Sequence, residues 1–263
     1  VLLPTCFLLI LIKEMCNRMG VVTGKGLSAL IRERFGLRAS FYLMVALVLT
    51  NIGNSIADFA GVVAGAELFG IPGFLSAPIG GFLLWHLLVK GTYGTMEKLF
   101  FIACGFYVCY VISGLLAQPD WSVALHDTVV PRMAWDSPTL YMIVGIIGTT
   151  IAPWMQFYQQ ASVVEKGIPL KHYAYSRLDT ILGGIIVTVV CYFIVLACAA
   201  TLHQQGVRIE TAADAAQALG PIAGEYCGLL FAVGLISASY FGATILPIST
   251  ATSVCEAMGW EGG

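Results

Sequence analysis

Seven apolar stretches follow one another along the chain, at approximately 1–20, 39–69, 73–90, 95–118, 138–166, 178–202 and 221–257. As helices they match a bilayer core of roughly 30 Å, which about 20 apolar residues cross. Backbone N–H and C=O groups inside hydrocarbon must be paired within the segment, so helices are the way such stretches span. Composition closes the soluble alternative. Of 263 residues 58% are hydrophobic and only 11% charged, where soluble domains carry roughly 25% charged residues. The chain is therefore expected to be all-α, a polytopic transmembrane helical protein whose residues 1–263 form one transmembrane domain, with the lipid bilayer as its solvent.

The charge pattern orients it. Lys13, Arg18, Lys25, Arg32, Arg34, Arg38, Lys90, Lys98, Lys166, Lys171 and Arg177 are eleven of the thirteen basic residues, and alternate crossings put all of them on one side. The excess of Lys and Arg marks that side, with the connections 21–38, 90–98 and 165–177, as cytoplasmic, and a plasma (inner) membrane location is expected. Opposite lie Arg132 and Arg208, with the acidic loops 119–137 (Asp120, Asp127, Asp136) and 203–220 (Glu210, Asp214). A net charge of −2 without basic clusters excludes a nucleic-acid partner. No obligate protein partner is implied. Eight cysteines without C-x-x-C spacing read as buried thiols, not a disulfide or zinc framework. His86, His126, His172 and His203 sit at span ends or in loops, as do Trp85, Trp121, Trp135 and Trp260, which read as interface anchors. Val1 opens directly on an apolar run and Gly263 closes just after another, so the chain is expected to be a piece of a longer protein.

Two spans carry polar groups at depth. Asn51, Asn54 and Asp58 are spaced i, i+3, i+7 and share one helical face. A carboxylate at that depth costs about 2.5 to 3.5 kcal/mol to insert, so Asp58 is expected to face the bundle interior or a wet cavity. Its bland role is to tie helices together. Gly61 and Gly65 add a small-xxx-small patch for close packing.

The second segment is GTTIAPWMQFYQQ, residues 148–160. Pro153 has no N–H for the carbonyl of Thr149, and its ring pushes that carbonyl aside, so the helix is expected to break near Thr149–Ala152. Irregular backbone at mid-membrane is tolerated where it lines a cavity, and the C-terminal end of a half-helix suits a cation. Gln156 and Gln160, at i+3 and i+7 from Pro153, extend a polar face toward the cytoplasm. A kink satisfied by Thr hydroxyls is the alternative. A broken helix beside an intramembrane carboxylate is the pattern of secondary transporters.

The residues then become specific. MCNRMGVVTGKGLSALIRERFG (15–36) resembles the end of the second helix and the following loop of Nramp divalent-metal transporters. NSIADFAGVVAGAELFGIP (54–72) is similar to their third helix, GTTIAPWMQFYQQASVV (148–164) to their broken sixth, and SRLDT (176–180) to the start of their seventh. The resemblance implies a partial LeuT-type inverted-repeat fold covering helices two to eight, without the first helix that bears the family's acidic and amide ligands. No resident cofactor is implied, since the divalent cation is cargo.

Departures from the family pattern shift the expected cargo. Where the family has Met-Pro-His this chain has Ala152-Pro153-Trp154, a second family histidine is Gln159, and Asp-x-x-Glu becomes Asp58-Phe59-Ala60-Gly61. Without a thioether, oxygen ligands favour a hard cation, and a roomier site admits a partly hydrated one. The pattern resembles the Nramp-related magnesium transporters, which implies uncoupled uptake of magnesium and also manganese. On that reading Thr149 and Ala152 supply backbone carbonyls, Pro153 and Trp154 shape the pocket, and Asn54, Asp58, Gln156 and Gln160 line it or its approach. The alternatives are a proton-coupled manganese or iron transporter, an amino-acid transporter of the same architecture, a membrane scaffold, or an intramembrane enzyme. The last lacks H-E-x-x-H, G-x-S-x-G and paired carboxylates within a span, so the chain is read as no enzyme.

Overall fold

A computed structural model describes residues 1–91, 93–130, 136–201 and 225–260. The described elements are α1 (Leu2–Thr23), α2 (Leu27–Leu68), α3 (Gly73–Lys90), α4 (Tyr93–Phe106), α5 (Val108–Leu116), α6 (Trp121–Val129), α7 (Ser137–Thr150), α8 (Pro153–Glu165), the 3₁₀ turn Leu170–His172, α9 (Tyr173–Thr201) and α10 (Glu225–Met258). No strand occurs among the described residues. The distribution of side chains is that of a protein solvated by hydrocarbon. Phe101 is 82% exposed and Phe74 76%, while the largest fully buried side chains are Gln160 and Asn17. Apolar groups gain nothing by leaving lipid, so what goes inside is what lipid cannot satisfy.

Among the described residues, five helices or helix pairs are long and apolar enough to cross a membrane: Leu27–Leu68, Gly73–Lys90, Thr139–Glu165, Leu170–Ala200 and Gly228–Met258. Phe101–Leu116 with Trp121–Val129 makes a sixth if the pair is one span, but it is bent by 114°. Seven stretches were expected to span, one of them broken near Thr149–Ala152; by length and composition five or six among the described residues do so. The bend has a local cause. Gln118 takes φ 48°, Pro119 cannot donate, and Asp120 caps the next helix by accepting from the N–H of Ser122 at 2.9 Å and of Val123 at 3.3 Å. The expected loop 119–137 therefore contains α6. The first stretch forms α1 but carries Lys13, Glu14 and Arg18, too much charge for a simple apolar span.

The connection 21–38 is also shorter than expected. α1 ends at Thr23 and α2 begins at Leu27, so Arg32 and Arg34 stand on a helical turn, and the true interruption is Gly36, whose φ 83° and ψ 171° split α2. Only glycine takes that backbone at no steric cost. Arg132, Trp135, His203, Arg208, Glu210 and Asp214 lie outside the described residues. His126 pairs with Asp127 at 3.1 Å, and His86 stacks on Phe82. Cys6, Cys16, Cys104, Cys109, Cys191 and Cys255 are free thiols.

The chain divides into two compact units, one of Val1–Gly53, Val130–Thr188 and Leu246–Gly263, the other of Asn54–Val129 and Val189–Ile245. In the first, Met44, Leu47, Phe157 and Ala257 form a core with Trp154, Leu27 and Ile31 packed against it. A polar seam joins α1 to α9: Asn17 donates to Thr180 Oγ1 at 3.0 Å and accepts from Ser176 at 2.8 Å, and Tyr173 donates to Glu14. These bonds meet charges and amides that would otherwise be stranded in α1.

In the second unit Tyr110, Ala117, Ala197 and Phe231 form the core, with Tyr110 edge-on to Phe231 at 5.2 Å. The small-residue patch is used as expected. An added Cβ at Gly61 would overlap Ser239, and one at Gly65 would overlap Ile236, so α2 and α10 touch there at backbone range.

Candidate functional site

The helix breaks where Pro153 requires it. α7 ends at Thr150, Ile151 leaves helical space (φ −116°, ψ 51°), Ala152 is extended (φ −66°, ψ 138°), and α8 starts with Pro153 in its first turn. Proline suits that position because its missing N–H is one a helix start leaves unused. Thr149, four residues back, receives no proton from Pro153 at its carbonyl. Its hydroxyl is turned the other way, donating to Gly145 O at 2.9 Å. Thr149 is exposed and Ala152 buried.

The two predicted carbonyls are not equivalent. Ala152 O accepts from Met155 N at 3.1 Å. With its amide nitrogen turned inward, Gln156 also reaches Ala152 O at 2.5 Å and Pro153 O at 2.7 Å. Gln156 therefore folds back on the start of its own helix.

Trp154 is half-buried against the core of the first unit, and its carbonyl accepts from Ser249 of α10 at 3.2 Å. The next residue, Thr250, accepts from Asn51 Nδ2 at 2.7 Å. Two adjacent residues of α10 thus gather α8 and α2. Sequence reading missed Ser249 and Thr250; the available signal was four hydroxyl residues, Ser249, Thr250, Thr252 and Ser253, close behind Pro247 in an apolar span. Asn51 is 3% exposed and its Oδ1 is left without a partner. Gln160 lies at the far side of α8 from the break, fully buried, with Nε2 on the carbonyl of Lys25 at 2.8 Å.

Asn54 and Asp58 belong to the second unit. The Asp58 carboxylate is turned inward onto Gly242 of α10, where an added Cβ would stand 2.6 Å from Oδ2. The face shared with Asn54 is kept by the continuous helix, and Asn54 is half-buried. A cavity of about 350 Å³ opens in this unit between α4 and α10, lined among others by Ile102, Phe106, Tyr240 and Phe241. None of the predicted site residues lines it. Among the described residues no three His, Cys, Asp or Glu side chains come together to hold a metal. Asp136, outside the spans, caps α7, and hydrogen bonds from Thr139 hold its carboxyl below the ordinary carboxylate range.

A helical membrane protein with one span opened into extended backbone at its middle is the class these features define. The chain belongs to the Nramp family: the model of that family, described as natural resistance-associated macrophage protein-like, matches residues 1–263. It is similar to the divalent metal cation transporter MntH of Deinococcus radiodurans, 27% identical over 253 residues, with 90% of this chain and 56% of the relative covered. The MntH of Ralstonia nicotianae is 31% identical over 243 residues, covering 84% of this chain and 53% of the relative. That of Bacillus subtilis is 24% identical over 263 residues, covering 95% and 61%. The chain thus spans little more than half the length of these relatives.

Proposed function

We propose that this chain forms part of a transporter that carries divalent cations through a membrane, with magnesium, and also manganese, as uncoupled cargo. The observation that carries the reading is the non-helical backbone at Ile151–Ala152 with a methyl group at position 152. A carbonyl freed at Thr149 is a hard oxygen donor, and the residue beside it brings no thioether or imidazole. Since Ala152 O already accepts from Met155 N, Thr149 O is the better ligand of the two. Gln156, close to the carbonyls of Ala152 and Pro153, keeps the start of α8 polar. The similarity to relatives named as divalent metal cation transporters supports the cargo's charge and leaves the element open. The basic connections 21–38, 90–98 and 165–177 support an orientation with those segments in the cytoplasm of a plasma membrane.

A second reading, proton-coupled carriage of manganese or iron, is favoured by Asp58, a carboxylate held within a span. Uptake into liposomes bearing the full-length protein separates the two. Magnesium entry without acidification of the lumen supports the first. Iron or manganese entry that acidifies the lumen, with no magnesium entry, overturns it. Ala152→Met, which places sulfur at the break, is expected to shift preference toward manganese by about tenfold, the size of a 1.4 kcal/mol change in relative affinity.

A further inference from the structure

Two consecutive residues of the short turn between α1 and α2 are held from two different helices. Gly24 takes left-handed backbone (φ 62°) and closes α1 through its N–H on Gly20 O at 2.9 Å. Lys25 N donates to Thr23 Oγ1 at 3.2 Å. From α8, Gln160 donates to the Lys25 carbonyl at 2.8 Å. From α10, the carboxylate of Glu256 lies over Gly26 so closely that any Cβ there would overlap it. All four segments belong to the first unit.

The joint is incompletely satisfied. Gln160 Oε1 is buried without a partner, and so is the hydroxyl of Ser28, two residues past Gly26. A permanent structural joint would use both ends of a buried amide, because an orphaned oxygen offsets much of what the bonded end contributes. A contact that nets little is suited to parting and re-forming. α8 is also one uninterrupted helix from Pro153 to Glu165, so a shift of its first turn at the break is carried to Gln160, roughly 10 Å further along at about 1.5 Å per residue.

We propose that Gln160 and Glu256 form a releasable clasp on the Lys25–Gly26 turn, a latch that shuts this end of the unit and opens when α8 moves. The inference goes beyond the transport reading and is measured without it. Lys25 is itself a trypsin site, and Lys171, in the 3₁₀ turn, serves as an internal reference. In the full-length protein in detergent, Gln160→Leu is expected to raise cleavage at Lys25 relative to Lys171 by about fivefold, because the Lys25 carbonyl then has no donor from α8. The melting temperature should stay unchanged or rise, since the orphaned oxygen is removed as well. Gly26→Ala displaces Glu256 with Gln160 intact and should move the same ratio the same way. An unchanged ratio in both variants overturns the latch. So does faster cleavage at both lysines together with a lower melting temperature, which marks a merely structural joint. Absence of magnesium uptake by the full-length protein leaves this ratio unaffected, so the two readings fail separately.

Discussion

The carboxylate of Asp58 rests on the bare backbone of Gly242, close enough that a methyl group there would stand 2.6 Å from Oδ2. The acid is accommodated because α10 presents no side chain at that point. Gly242→Ala is expected to lower stability by about 1–3 kcal/mol, the usual cost of overpacking, and to reduce cation uptake by displacing the acid. Adding Asp58→Ala should recover most of the lost stability, because the smaller side chain makes room. Thermal melts of the two single variants and the double variant check this; an equal loss in both backgrounds would show that the two residues are independent.

Replacing Pro153 tests the break. Alanine offers Thr149 O the missing N–H, so α7 and α8 are expected to join through residues 150–153 and uptake to fall at least about tenfold. Hydrogen exchange at the new amide reports the ladder bond directly. Uptake at the wild-type rate in a protein whose new amide is protected would disconnect the break from transport.

Asn51 and Thr250 should be energetically coupled. Their hydrogen bond of 2.7 Å lies in the interior of the first unit, and a double-mutant cycle with Asn51→Ala and Thr250→Val is expected to return about 1 kcal/mol. A value near zero would mean that the pair only sits together.

The cap of α7 makes a pH prediction. The carboxyl of Asp136 is held below its ordinary value by Thr139, so the folded form binds its proton less readily than the unfolded one. The cap is therefore fully present above the ordinary carboxylate value and is lost as pH falls below it. Protection of the Thr139 amide, corrected for intrinsic exchange, should drop over that acidic range. Asp136→Asn, which caps without titrating, should show no such drop; a matching drop in that variant would assign the effect elsewhere.

The break at Pro153 was legible because it follows from one residue's chemistry: no N–H and a ring that blocks the preceding turn. The inward turn of Asp58 was legible for a similar reason, since a carboxylate in a span has few places to go. The packing of Gly61 and Gly65 against α10 followed from their spacing. What the sequence hid depends on partners distant along the chain. Nothing local announces that Ser249 reaches the carbonyl of Trp154, or that Gln160, read as part of a polar face, is buried against Lys25. The turn at Gln118 and Pro119 falls where the 95–118 stretch was expected to end; what was concealed is α6 beyond it, a helix too short to stand out in a hydropathy window.

The burial of Asn17, Gln160 and Ser249 beneath an apolar exterior bears on how this protein tolerates change. Hydrocarbon cannot tell one leucine-lined surface from another, so helices matched only by greasy faces would insert yet have no reason to choose their neighbours. Here the choice rests with a few alcohols and amides that find each other across the interior. Shuffling aliphatic residues over the outer surface should leave assembly intact, whereas swapping Asn17 or Ser249 for an aliphatic residue of similar bulk should give a chain that enters the bilayer and then pairs its helices wrongly.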